Sequence, residues 1–177
     1  MADEPIDAGL DDALFLVDVE DPVGGGTTRT LSHSRSSLVL IGMATNRYVR
    51  GSSRLFQKRF GIGVMDWRML VMLTRQPDIS VTAASRTIGV DKAAVSRALA
   101  RLEKTGLAEA ACPGGNRRHR VWRLSHAGRA KHDEMLAISL RIHQAILSEF
   151  SRDEIEAFNG FLRRFIASAE DLKDLPD

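Results

Sequence analysis

SVTAASRTIGVDKAAVSRALARLEKTG, residues 80–106, followed by LAEAACPGGNRRHRVWRLS, residues 107–125, decides how this chain folds. The first part reads as two short helices meeting at a tight turn, the second as a two-stranded wing. The first helix covers residues 80–88, and Gly89 is the turn residue. A helix that must stop and reverse needs a positive φ, which glycine adopts without steric cost. Asp91 stands at the N-cap of the second helix, where its carboxylate accepts from the first free N–H groups. Ala84, Ile88, Val90, Val95 and Ala98 are spaced to meet inside the corner, with the small Ser85 where the helices cross. The opposite face of the second helix carries Lys92, Ser96, Arg97, Arg101 and Lys104. One packed face and one basic, hydrogen-bonding face is what a helix entering the DNA major groove requires.

The wing follows from the same logic. Residues 107–111 and 118–124 read as strands joined by the turn-rich loop 113–117. This places Arg117, Arg118, His119, Arg120 and Arg123 together. An arginine-bearing hairpin tip suits the minor groove, whose negative potential deepens where it narrows. A solvated polar hairpin is the plainer alternative.

Composition agrees with a polyanion-binding body. Of the 23 acidic residues, eight fall in the first 21 positions, which hold no Lys or Arg. The remaining 156 residues therefore set 25 bases against 15 acids. An apolar content of 44% over 177 residues supports a core and excludes global disorder. There is no apolar run of about 18 residues, so no membrane-spanning helix is expected. The acidic N-terminus is unlike a secretory or transit peptide. One cysteine, Cys112, cannot form an internal disulfide, and the chain reads as cytoplasmic and reduced.

Residues 1–30 read as an acidic, flexible arm, with GGGTT at 24–28 as a linker. Its apolar cluster, Leu14 to Val17, suits docking on the body or on a partner subunit, or simply a disordered tail. The arm's acids also suit competition with DNA for the basic surface. Residues 31–60 read as a long helix, capped by Ser32, Ser34 or Ser36 and ended by Gly61. Residues 64–75 read as a shorter one, with Met65, Met69, Met72 and Leu73 on one face and Pro77 beyond it. Ser125 caps a helix running to about residue 148. Ser151 and Glu154 form an S-x-x-E capping box that opens the last helix. Its stripe is Ile155, Phe158, Leu162, Phe165 and Ile166. The first and last helices exceed what a winged helix needs, and pairing with a second chain is their expected use.

In this order and spacing, three motifs resemble the MarR family of winged-helix transcription regulators. GIGVMDWRMLVML looks like that family's helix before the helix-turn-helix. DKAAVSRALARLEKTGLAE resembles its recognition helix and Leu-Glu-x-x-Gly-Leu exit. NRRHRVWRLSHAG is similar to its wing pattern, and the match runs over about residues 34–172. The resemblance implies a mainly α fold with a small β-hairpin wing (α+β). Residues 31–177 would form a MarR-like domain, with dimerisation helices at 31–60 and 125–175 around a winged helix-turn-helix at 62–124. It implies a homodimer binding a pseudo-palindromic, inverted-repeat operator in double-stranded DNA. Repression and release by a small effector, often aromatic and acidic, would follow, with no cofactor. Ser96 and Arg97 match the family's Ser/Thr-Arg pair, and Arg118 its minor-groove wing arginine. Asn116 stands where the family commonly has Asp; it can still hydrogen-bond Arg118 but lacks the charge, which would leave the wing tip less rigidly held. The DNA-contacting set is Lys92, Ala94, Ser96 and Arg97 for base edges, Arg101, Lys104 and Arg123 for phosphates, and Arg117, Arg118 and Arg120 in the wing. An effector crevice would draw on His33, Arg47, Tyr48, Arg50, Met65, Trp67, Arg68 and Leu70. For Trp67 and Leu70 a core role is the simpler reading.

Other functions find less support. Redox sensing through Cys112 would need a lowered thiol pKa, of which Pro113 and Gly114 say nothing and which only the wing arginines would favour. His119, His126, His132 and His143 have no trusted zinc spacing. No phosphate loop or nucleophile–base pair suggests an enzyme. A nonspecific DNA-architectural module or a protein-docking winged helix remains the alternative.

Overall fold

The computed structural model describes residues 10–115 and 120–170. Asn116, Arg117, Arg118 and His119, which carry the expected wing tip, lie outside the described residues. The chain divides into two compact units, Met1–Val64 and Met65–Asp177.

The first unit holds a one-turn helix, Asp12–Leu14, then strands β1, Leu16–Glu20, and β2, Thr27–Leu31, and helix α1, Ser37–Phe60. The two strands pair antiparallel, Leu16 opposite Leu31 and Glu20 opposite Thr27. This corrects the expected flexible linker. Val17, Val19, Thr27, Thr28 and Thr30 are β-branched residues suited to a pleated ladder. Gly25 and Gly26 supply the positive φ values, 69° and 97°, that turn one strand into the other. Asp18 and Arg29 face each other across the ladder at 3.1 Å. The Ser32 N–H donates to the Phe15 carbonyl at 2.7 Å, which ties the hairpin to the following turn. That turn also moves the start of α1 from the expected residue 31 to Ser37. The Ser32 hydroxyl accepts from the Arg35 N–H at 3.2 Å, so this local bond competes with helix. Ser36 occupies the N-cap position without a side-chain cap bond, and Gly61 ends the helix in the left-handed region.

The second unit is the helix-turn-helix with its supports. Helix α2, Val64–Arg75, buries Trp67, Met69, Leu70, Met72 and Leu73. Then follow β3, Ile79–Ser80, α3, Val81–Ile88, α4, Lys92–Lys104, β4, Ala108–Ala111, β5, Val121–Leu124, α5, His126–Ile146, and α6, Arg152–Glu170. The sheet has three strands in the order β3-β5-β4, not the expected two. Ile79 pairs with Trp122 and Ser80 with Val121, so the segment before α3 closes the far edge of β5. Two residues are too few to show an alternating pattern in sequence.

Two junctions hold α5 in place. The Ser125 hydroxyl accepts from the Gly128 N–H at 3.0 Å and donates to the Gly106 carbonyl at 2.6 Å. Gly128 itself lies so near the wing that a Cβ there would stand 1.9 Å from the Leu107 carbonyl oxygen. At α6 the expected capping box is present. The Ser151 hydroxyl accepts from the Glu154 N–H, and Glu154 accepts from the Ser151 N–H at 2.8 Å. The Ser151 N–H, and after it the Ser151 hydroxyl, both donating to the carboxylate, hold the Glu154 carboxyl below its ordinary value of 4.5. The cap therefore supports α6 above that pH and is lost as pH falls through the lowered value.

Among the described residues no helix is long and apolar enough to cross a membrane. Gly128→Ala is expected to cost roughly 1–3 kcal/mol by overpacking a backbone contact. Gly160→Ala on α6, where a Cβ meets nothing within 4 Å, is expected to raise stability by about 0.5–1 kcal/mol. Thermal melts of the two variants should move in opposite directions.

Candidate nucleic-acid interface

The corner of α3 and α4 is built by local chemistry. The Ser80 hydroxyl accepts from the Ala83 N–H at 3.2 Å and so caps α3. Gly89 takes φ 65° and closes that helix onto the Ser85 carbonyl. The Ser85 hydroxyl then donates to the Val90 carbonyl at 2.6 Å. A residue chosen for smallness at the crossing thus also fastens the turn. Asp91 accepts from the Ala94 N–H at 2.8 Å, which starts α4 where the sequence expects it.

Helix α4 has two unlike faces. Val95, Ala98 and Leu99 are fully buried and Leu102 is nearly so. They face α3 and β4, the elements α4 packs on. Lys92, Ser96, Arg97 and Lys104 are exposed, and Ala94 is half-buried. Among the described residues Lys92, Arg97 and Lys104 form no ion pair. Their donors are available to a phosphate or a base edge.

The other expected phosphate and wing contacts stand differently. Arg101 turns back onto Asp66 of α2, with Nε 3.1 Å and 3.2 Å from the two carboxylate oxygens. This hydrogen bond shifts the Arg101 guanidinium further toward its charged form. Arg120 donates through Nη2 to both oxygens of Glu103 at 2.6 Å and 2.8 Å. Its guanidinium also lies 4.3 Å over the Trp122 ring. Arg123 sits 3.6 Å from Glu109, its neighbour across the β4–β5 ladder. Three cations read from the sequence as DNA ligands thus hold acidic partners within the fold. The partners, Asp66, Glu103 and Glu109, escape a sequence reading that counts bases on one face.

The expected effector residues divide between the two units. His33, Arg47 and Arg50 are exposed and Tyr48 is half-buried in the first. In the second, Leu70 is fully buried and Trp67 is nearly so. The Trp67 ring stacks on His132 of α5 with centroids 5.5 Å apart. Both are core residues, as their plainer reading had it, while Met65 and Arg68 keep partial exposure. No group of three metal-binding side chains occurs among the described residues.

Residues 60–118, which span this corner and the start of the wing, match the MarR family. That match covers 59 of the 177 residues, and solved structures of regulators from this family share the fold over most of the chain. A MarR/EmrR family transcriptional regulator from Acinetobacter sp. ADP1 is 25% identical, with a TM-score of 0.75 over 80% of this chain and 100% of its own. MepR of S. aureus, solved as a complex with DNA, is 17% identical, with a TM-score of 0.66 over 78% of this chain and 99% of its own. BpsR of Bordetella bronchiseptica, whose DNA binding is regulated by 6-hydroxynicotinic acid, is 22% identical, with a TM-score of 0.65 over 78% of this chain and 98% of its own. The last two likenesses show the fold. No curated protein matches this chain in sequence. In fold the chain is similar to winged-helix transcriptional regulators of this family. Asp91→Ala should remove about 1 kcal/mol of stability and weaken DNA binding by loosening the start of α4. Denaturant unfolding and a gel shift on one preparation check both.

Proposed function

We propose that this chain is a MarR-family DNA-binding transcriptional regulator that binds an inverted-repeat operator as a homodimer and acts as a repressor. The observation that carries the DNA-reading part is the asymmetry of α4. Its inner face is sealed by Val95, Ala98, Leu99 and Leu102, and its outer face presents Lys92, Ser96 and Arg97 at the N-terminal end. A helix held by one face offers the other at a fixed angle to the groove. In this reading Lys92, Ala94, Ser96 and Arg97 meet base edges, and Lys104 meets a phosphate. Arg117 and Arg118 keep their expected role in the minor groove.

Pairing is supported by apolar surface. Phe158, Phe161, Phe165 and Ile166 of α6 are exposed, as are Leu136, Leu140 and Ile146 of α5. So many exposed large apolar side chains on two long helices fit an isologous interface better than water. Two recognition helices would then address successive major grooves, roughly 34 Å apart.

Arg97 bidentate to a guanine would contribute about 1–3 kcal/mol of discrimination. Arg97→Ala is expected to weaken binding and relax preference at one position per half-site. Lys104→Ala should weaken all duplexes alike and lower the salt slope by about 0.9. Selection of bound sequences from random DNA, repeated with each variant, checks both. A product without palindromy would overturn the dimeric operator, and equal binding to random duplex would favour the architectural alternative.

Release by a small aromatic acid completes the proposal, with the BpsR likeness as its support. The stacked Trp67 gives a reporter. Its fluorescence should change on titration with the aromatic acid that lowers operator affinity. A broad panel without effect on either signal would sink this part.

A further inference from the structure

Arg101 lies four residues beyond Arg97, near the same side of α4, yet its guanidinium is turned away to Asp66. The two residues are 35 positions apart in sequence. The Asp66 side chain is only 12% exposed, whereas that of Arg101 is 52% exposed. The pair is thus anchored at its α2 end.

The surroundings favour this orientation. Asp66 is in the first turn of α2 and Arg101 in the last turn of α4. A carboxylate is stabilised at a helix N-terminus and a cation at a C-terminus. Both Nε and Nη2 reach the carboxylate, so the guanidinium plane is fixed as well as its charge. The support behind Asp66 is firm, because its neighbours Trp67, Met69 and Leu70 are buried and Trp67 stacks on His132 of α5. Two residues on, Glu103 holds Arg120 beside β5. The C-terminal half of α4 is therefore fastened to α2 and to the wing, leaving its N-terminal half as the free reading end.

We propose that Asp66 is a positioning residue for DNA recognition, acting through Arg101 to set the orientation of α4. Arg101 is then a strut rather than a phosphate ligand. The inference rests on α4 being the recognition helix.

The two roles of Arg101 predict opposite signs. Were Arg101 a phosphate ligand that Asp66 merely competes for, Asp66→Asn would release its guanidinium and leave binding equal or tighter. As a strut, Asp66→Asn loses the orientation and binding weakens, by about tenfold. The test is fluorescence anisotropy of the full chain on a duplex recovered by selection, over a series of salt concentrations. Asp66→Asn and Arg101→Gln are expected to weaken binding alike with the salt slope unchanged. Their double variant is expected to be no weaker than either alone, because one interaction is removed once. Asp66→Glu should restore most of the affinity, which general loss of folding would not do. Unchanged or tighter binding by Asp66→Asn overturns the strut, as does a salt slope lowered by about 0.9 in Arg101→Gln. Arg97→Ala on the same duplex separates the readings. If it abolishes preference while Asp66→Asn binds like the parent, the recognition helix stands and only the strut falls.

Discussion

The burial of one face of α4 is the constraint on which the rest of this molecule depends. Val95, Ala98 and Leu99 are fully buried and Leu102 nearly so, against α3 and β4. Burial of a Val or Leu side chain contributes about 1.5–3 kcal/mol. An exposed ion pair contributes about 0–1 kcal/mol. Packing therefore decides that α4 sits in the corner at all. The polar contacts act on what packing leaves free, the tilt and rotation of a helix already docked. Asp91 fixes its start, Ser85 fastens the turn before it, and Asp66 and Glu103 hold its far end. A reading surface needs both kinds of force, because base recognition depends on where donors point as well as on their charge.

The helix-turn-helix was legible in the sequence because its signals are local. Gly89 and Asp91 act within a few residues of themselves, and the spacing of Ala84, Val95 and Ala98 repeats with the helix. Ser125 and the box of Ser151 and Glu154 were legible for the same reason. What escaped was either too short or too distant. Strand β3 has two residues and no period. The hairpin of β1 and β2 was hidden by its composition, since acids and three successive glycines also describe a loose arm. Only the pairing of Leu16 with Leu31 separates the two. The ion pair of Asp66 with Arg101 joins positions in two different helices, and no pattern along one helix can show it. On α4, the exposure of Lys92, Ser96 and Arg97 was readable, whereas the ion pairing of Arg101, Arg120 and Arg123 was not.

That engagement changes how the charge of this chain should be weighed. The body counted from the sequence is strongly basic, which suits a polyanion. In the fold, three of the cations nearest α4 and the wing face carboxylates of their own chain. Their contribution to a long-range field is reduced, and their donors are partly spoken for. Lys92, Arg97 and Lys104 keep theirs. Among the described residues, paired and unpaired cations thus lie side by side on one short helix. A charge total cannot make that distinction, and the orientation of individual guanidinium groups can.

Helix α6 presents the opposite situation to α4. It spans 19 residues, opens with a satisfied capping box, and repeats its apolar residues at helical spacing, yet none of its residues is buried. In a folded protein most of a helix's stability comes from packing its apolar face rather than from propensity. Phe158, Phe161, Phe165 and Ile166 give it such a face, and among the described residues nothing covers it. Capping and periodicity shape a helix for packing but do not supply the surface to pack on. The covering surface must be large and apolar, and the exposed residues of α5, Leu136, Leu140 and Ile146, match that description in a second copy. A two-fold arrangement would let each copy offer the same patch and receive it. The force that seats α4 within one chain would then also bring two such helices together.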